Sequence, residues 1–208
     1  MNLNQRGIFI VFEGLDGTGK SAQASLLNYD LFSLGYKVFL TEEPSKSEIG
    51  GLIRKTLKEQ PKDLSLYNRK LALLFALDRH YHLYDKDGII NNLKDGNIVV
   101  CTRYVLSSLA YNCETQEEME FVKEINKDFP LPDITFFIDC SVDTCLERLN
   151  NSRENKDFYE NKKKLFKVKG VYDKLIKDYK GEIHIIKDSN MAKNNKAIKD
   201  ILISKSMI

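Results

Sequence analysis

The chain has 208 residues and a mass of 24.0 kDa, the length of one domain and enough to bury a core without disulfide or metal staples. With 42% hydrophobic and 30% charged residues it is neither disordered nor collagen-like, and no apolar run nears the ~20 residues of a membrane span. Its 32 basic and 30 acidic residues nearly cancel, which leaves no electrostatic case for nucleic acid as the partner. Only seven of the 32 basic residues are arginine, the planar fork suited to phosphate and base edges, so each Arg merits separate inspection.

In chain order, Met1 to Arg6 is polar and is followed by only five apolar residues; this is no signal peptide, and the expected location is cytoplasmic. Apolar runs of strand length then alternate with stretches of helical period. The run Ile8–Phe12 leads into a helix over about 20–34, closed by Gly35. Tyr36–Leu40 precedes helices over 48–58 and 65–84. Ile98–Cys101 precedes a helix over 116–127, and Ile134–Ile138 precedes helices over 142–150 and 158–179. Gly181 stands at the second expected helix C-cap, before Ile183–Ile186 and a final helix over 191–205. Continuous apolarity marks strands covered on both faces. The alternation predicts an α/β protein with a parallel, doubly wound sheet and no domain boundary within residues 1–208. The polar stretch 150–164 reads either as a mobile loop or as a solvated face. Cysteines at 101, 113, 140 and 145 form no C-x-x-C pair, and Cys101 and Cys140 read as buried thiols of a reducing compartment.

The first strand runs into Gly14-Leu15-Asp16-Gly17-Thr18-Gly19-Lys20-Ser21, which is G-x-x-x-x-G-K-S. Glycines let a bare backbone curl around a phosphate with its N–H groups inward. Lys20 brings a point charge to the β- and γ-phosphates, Ser21 offers a hydroxyl to Mg²⁺, and the helix that follows presents its N-terminus to the anion. Strand before and helix after supply the context the motif needs. A purine nucleotide with Mg²⁺ is the first inference.

No N/T-K-x-D guanine-reading motif is present, which argues against a GTPase. On the helix over 65–84, Phe75 and Arg79 share a face at i,i+4: a ring and a fork suited to stacking a base and bonding its edge, or else a core residue beside a surface ion pair. Arg103, in Thr102-Arg103-Tyr104, follows the strand ending at Cys101. Ligand crevices of open α/β sheets lie at that end of the strands. His80 and His82, two apart on a helix, face different ways and make a poor metal pair. Lys162-Lys163-Lys164 reads as a solvated helix start, and Ser107-Ser108 has no nearby base to activate a nucleophile.

Together these motifs resemble the thymidylate kinase family over essentially the whole chain. The resemblance is carried by Phe12-Glu13 with the phosphate loop, Glu43-Pro44 with Ile49-Gly50 and Arg54, Leu74-Phe75-Ala76-Leu77-Asp78-Arg79, Arg103-Tyr104-Val105 with Ser107-Ser108-Leu109-Ala110-Tyr111, and Leu131-Pro132-Asp133. It implies a three-layer α/β/α phosphate-loop kinase fold with a parallel five-stranded sheet, a mobile lid at about 150–162, and a homodimer. It implies transfer of the ATP γ-phosphoryl to dTMP with Mg²⁺. Phe75 would stack on thymine, Arg79 would bond its O4 edge and Ser108 would face N3. Arg54 and Arg103 would hold the dTMP phosphate, Asp16 would meet the 3′-hydroxyl, and Tyr111 would crowd the 2′ position. Since Gly17 and Thr18 leave the loop without an arginine, the charge clamp would come from the lid: Arg153, with Arg148 as a support, an ATP contact or a surface partner of Glu147.

The chain departs from the family pattern at several positions. Thr102 stands for the usual Asp before Arg103, Leu106 for an acidic residue, and Glu42 for the Arg of Thr-Arg-Glu-Pro. Phe158 takes the place of Arg in the lid's Asp-Arg-x-Glu. Two other readings therefore stay open: a nucleoside monophosphate kinase of broader or shifted base choice, and a weakly catalytic nucleotide-binding regulator of the same fold.

Overall fold

The structure is a computed structural model that describes residues 6–150, 158–187 and 189–208, with only the backbone of 158–161. The strands β1 (Phe9–Glu13), β2 (Val38–Glu42), β3 (Ile98–Thr102), β4 (Ile134–Asp139) and β5 (Ile183–Lys187) form one parallel sheet in the order β2-β3-β1-β4-β5. Among the described residues the helices are α1 (Lys20–Ser33), α2 (Glu48–Thr56), α3 (Leu64–Tyr84), α4 (Ile89–Lys94), α5 (Val105–Tyr111), α6 (Gln116–Asn126), α7 (Val142–Asn150), α8 (Phe158–Lys177) and α9 (Met191–Ser204).

Successive side chains of a strand point to opposite faces, and this divides the core. Ile10, Phe12, Val100 and Phe136 pack beneath Leu27 and Leu31 of α1 and Ile198 and Leu202 of α9. Phe9, Val11, Val99 and Cys101 face the other way, toward Leu83 of α3 and Ile89 and Leu93 of α4. Phe137 meets α5, α7 and α8 through Leu106, Cys145 and Tyr172. Helices on both faces make three layers, as expected. All four cysteines are buried and, among the described residues, none is in a disulfide, and among the same residues no helix is long and apolar enough to cross a membrane.

Every strand runs past its apolar sequence. The added residues are Glu13, Thr41 and Glu42, Thr102, Asp139 and Lys187, all still paired in the ladder or at its end. They are polar because they stand at the C-terminal edge, where the ligand crevice of such a sheet lies.

Four helices carry local start signals. Ser47 caps α2 through Gly50 N–H at 3.0 Å, Asp63 caps α3 through Leu66 N–H at 2.9 Å, Thr115 and Glu118 make a capping box on α6, and Asn190 caps α9. The sequence did not announce α4 and α5, of six and seven residues, whose flanking Gly88 and Tyr104 give no side-chain cap. Gly35 closes α1 in the left-handed region, φ 88°, with Tyr36 N–H donating to Leu31 O at 3.1 Å. Gly181 is a correction: it lies beyond the end of α8 at Lys177 and is not among the residues of positive φ, so it is a bend before β5.

Candidate active site

The phosphate loop is contiguous in sequence and leaves β1 at Glu13. Gly14, Gly17 and Gly19 have φ of 143°, 85° and 87°, values that side-chain-bearing residues rarely adopt. A Cβ on Gly17 would stand 2.5 Å from Cys145 O, whereas one on Gly19 would meet nothing within 4 Å. Thr18 Oγ1 donates to Leu15 O at 3.0 Å, and Lys20 Nζ donates to the same carbonyl at 2.5 Å. Burial and the neighbouring Arg103 charge draw the Lys20 ammonium down to about 7, against the opposing pull of Asp16 and Glu13. Ser21, in the first turn of α1, lines a cavity of about 390 Å³ with Gly17, Gly19, Lys20, Thr102 and Arg148. Arg148 Nη1 lies 3.5 Å from Thr18 O, which puts this side chain on the phosphate loop.

Arg103 forms the adjoining corner. Its backbone is left-handed, φ 68°, which costs a residue with a Cβ about 1–2 kcal/mol. Its Nη2 donates to Asp16 Oδ1 at 2.6 Å, its Nη1 to Ser107 Oγ at 2.8 Å, and its guanidinium lies 4.8 Å from the Tyr111 ring centroid. Burial pushes the Asp16 carboxyl up, but Arg103 and Lys20 outweigh it and hold the group below the usual range. Tyr111 Oη accepts from Asp16 N–H at 3.0 Å. One corner thus holds Asp16, Arg103 and Tyr111, which the sequence places up to 95 residues apart.

Beneath it lies Glu13, 1% exposed. Its carboxylate accepts from Tyr104 N–H at 2.8 Å, Ser107 N–H at 3.1 Å, Ser107 Oγ at 2.6 Å and Tyr172 Oη at 3.0 Å. Burial raises its pKa, and the surrounding donors and Arg103 oppose that rise. This is what caps α5: the acceptor comes from the end of β1.

The second cavity, about 800 Å³, opens from the same corner and is lined by Arg54, Phe75, Arg79, Ser108, Tyr111 and Asn112 among others. Arg79 is 0% exposed, which corrects the alternative of a surface ion pair. Its Nε and Nη2 grip Glu43, with Nη2 to Oε2 at 2.6 Å, Nη2 also reaches Ser108 Oγ at 3.0 Å, and Nη1 meets Asn126 Oδ1. Among the described residues this leaves one of the five N–H groups of Arg79 for a ligand. Asp78, also fully buried, takes Ser45 N–H at 2.7 Å and the hydroxyls of Ser45 and Ser47 at 2.6 and 2.8 Å. That fixes the cap of α2 and hence Arg54, whose Nη2 donates to Pro44 O at 2.6 Å.

The structure therefore brings together all the expected site residues except Arg153, which lies outside the described residues, as does most of the expected lid. His82 does not join His80: its Nε2 pairs with Thr41 Oγ1 at 2.7 Å, while His80 stacks near Tyr84. Sequence reading missed Asn126, Tyr172 and Asn112, and gave Glu13, Glu43, Asp78 and Ser107 no role. Their signal lay in being polar residues next to motif positions, except for Tyr172 and Asn126, which carry none. Asn112 is 4% exposed, and its Nδ2 has no hydrogen-bond partner among the described residues.

The thymidylate kinase family model matches residues 12–198. The chain is 41% identical over 152 residues, 73% of its length, to a putative thymidylate kinase of Treponema pallidum, covering 71% of that protein. It is 37% identical over 183 residues to a probable thymidylate kinase of Pyrococcus abyssi, 87% of this chain and 88% of the other. A thymidylate kinase of Leptospira interrogans is 34% identical over 175 residues, 83% of each chain. The phosphate loop, the paired cavities and these matches agree: the chain belongs to the thymidylate kinase family.

Proposed function

We propose that this protein transfers the γ-phosphoryl group of ATP to dTMP, giving dTDP and ADP. The observation that carries the reading is the pair of cavities that meet at Asp16 and Arg103, one floored by the phosphate loop and the other walled by Phe75, Arg79 and Ser108. An acceptor oxygen of dTMP attacks the γ-phosphorus, the bond to the β-phosphate oxygen breaks, and ADP leaves with that electron pair. Such a transfer is positioning and charge neutralisation rather than covalent catalysis. Lys20 and the loop amides hold the ATP phosphates, with Arg148 beside them. Arg103 and Arg54 hold the acceptor phosphate, Asp16 takes the 3′-hydroxyl, and Tyr111 crowds the 2′ position. Phe75 stacks on the base, and the remaining N–H of Arg79 with Ser108 meets its edge. Arg153 is the proposed lid clamp.

The donors at the phosphate-loop cavity suit Mg²⁺. Ser21, Glu42 and Thr102 are hard oxygen ligands lining it, and Mg²⁺ keeps several waters and takes few protein ligands beside the phosphates. Among the described residues no three His, Cys, Asp or Glu gather into a metal site. When bound, Mg²⁺ would neutralise charge between the β- and γ-phosphates. Thr102 supplies no charge here, but Glu42 is its registered neighbour on β2 and brings a carboxylate to the same edge.

The chain is read as a single domain that pairs with a second copy. Leu73, Leu77, Tyr81 and Tyr84 make an exposed apolar stripe along α3 at i, i+4, i+8 and i+11, a seam suited to a second helix. The four buried cysteines, none in a disulfide among the described residues, support a cytoplasmic location. The test is turnover with ATP and Mg²⁺ on dTMP, dCMP, dGMP and UMP, run beside size-exclusion with light scattering. Preferred use of dTMP at the ~1–100 s⁻¹ typical of kinases is expected. If dTMP is no better than the others, the thymine assignment is wrong, and negligible turnover would favour the regulatory reading. A monomer mass would remove the dimer.

A further inference from the structure

The left-handed turn at Arg103 is held from an unexpected direction. Arg103 N–H donates to Phe12 O at 2.8 Å, and the next amide, Tyr104 N–H, donates to Glu13 Oε1 at 2.8 Å. Both amides that flank the strained residue are therefore bonded to the last two residues before the phosphate loop. The side chain is tied to the same place, since Arg103 Nη1 donates to Ser107 Oγ at 2.8 Å, and Ser107 Oγ lies 2.6 Å from Glu13 Oε2.

Donor counting fixes one end of this relay. Arg103 has only N–H groups to offer, so Ser107 Oγ accepts from it, and the Ser107 hydrogen goes to Glu13 or to Tyr172 Oη, 2.9 Å away. The two backbone amides and Tyr172 Oη, 3.0 Å from Oε2, also donate. Two amides and two hydroxyls converge on one carboxylate, and of these the amides can only donate. The two amides and the nearby guanidinium favour the ionised group against the burial that raises its pKa, and the carboxylate sits one hydroxyl away from the guanidinium. Tyr172 is fully buried and rises from α8, with its ring 5.1 Å from that of Phe137 and 6.3 Å from that of Tyr111.

We propose that Glu13 is the positioning residue for Arg103: a buried charge at the end of β1 that fixes the strained turn through Tyr104 N–H, orients the guanidinium through Ser107, and makes both depend on α8 through Tyr172. The consequence is that the cation meant for the acceptor phosphate and the loop meant for the donor phosphates share a foundation of two residues. Their separation is set by Phe12 and Glu13 rather than by either ligand. The inference rests on the proposed role of Arg103.

Glu13→Gln is the decisive variant, because it keeps the shape and can keep the hydrogen bonds if the two hydroxyls reverse, while removing the charge. Its melting temperature should stay within a few degrees of wild type. Its kcat for dTMP should fall at least about 30-fold with KM for ATP within about threefold, a split that a general loss of folded protein does not produce. Combined with Arg103→Lys, the loss should be no more than about threefold beyond the worse single variant, since both act on one contact. Multiplying losses, or a Glu13→Gln kcat within threefold of wild type, overturn the inference. If Glu13→Gln does not fold, Tyr172→Phe replaces it, with a loss of about three- to tenfold in kcat/KM for dTMP and the same non-additivity with Arg103→Lys; an additive result overturns the inference. Arg103→Lys alone separates the two levels. If it leaves dTMP turnover within threefold, the role of Arg103 falls and the inference with it. If it is severe and Glu13→Gln multiplies it, only the inference falls.

Discussion

Lys20 opens α1 beyond the phosphate loop and Arg103 directly follows β3, both shielded and both facing Asp16, yet their surroundings treat them in opposite ways. Burial and the like charge of Arg103 draw Lys20 down to about 7. Arg103 is desolvated as well, but the oxygens around it, those of Tyr111 and Asp16 foremost, hold its pKa well above the ordinary value. The phosphate-loop side is a contiguous segment whose shape is set by glycines and whose lysine, among the described residues, hydrogen-bonds only to its own loop. The Arg103 side is assembled from β1, β3, α5 and α8. A fixed guanidinium suits a ligand whose position must be set to tenths of an ångström. A lysine held at the edge of its proton suits a site whose charge is completed by an arriving polyphosphate.

The largest expected effect tests whether both cations are needed. Lys20→Ala and Arg103→Ala should each lower kcat for dTMP on the order of 10³-fold. If only one does, the two sides are not equal partners in the transfer. The next contrast lies within the loop. Gly17→Ala faces both a positive φ and a backbone oxygen 2.5 Å away and should abolish nucleotide binding or folding. Gly19→Ala faces the φ alone and should cost about 1–2 kcal/mol of stability by chemical denaturation. Equal losses would mean that space does not decide the matter.

A third test uses protons. With a pKa near 7 in the free protein, Lys20 is largely neutral at pH 8, and phosphates should restore its charge. Binding of ATP analogues at pH 8 should then take up close to one proton, read by calorimetry in two buffers of different ionisation enthalpy, and Lys20→Met should abolish the uptake. The sign for stability follows: the unfolded chain binds this proton up to its ordinary value of 10.5, so from about pH 7 to 10.5 Lys20 adds stability as pH rises. The wild type should gain melting temperature over this window relative to Lys20→Met. The smallest effect is Tyr111→Phe, which removes the acceptor of Asp16 N–H and should cost about 0.5–1.5 kcal/mol in kcat/KM, together with some loss of discrimination against ribonucleotides.

Most of the fold was legible because its signals are local. Five apolar runs, glycine at 35 and the caps at Ser47, Asp63, Thr115 and Asn190 lie within a few residues of what they control. The missed helix α5 shows the limit. It has no cap of its own, so nothing near Tyr104 announces it, and the carboxylate that starts it lies 91 residues away. The strand ends were misjudged for a related reason: Glu13, Glu42, Thr102 and Asp139 look like loop residues by polarity, but backbone pairing continues through them.

The sequence by itself determined the phosphate loop, the alternation that builds a parallel sheet, and the short roster of arginines worth attention, because glycine conformation, apolar period and residue chemistry are local properties. Only the tertiary structure decided what each described arginine rests on. Arg79 proved to be buried on Glu43 with one donor to spare, Arg6 pairs with Asp133 at 2.8 Å, Arg69 lies over the Phe121 ring, and Arg103 rests on a carboxylate from another strand. Which of these cations faces a ligand depends on which oxygens surround it, and those oxygens come from segments that meet only when the sheet and its helices pack.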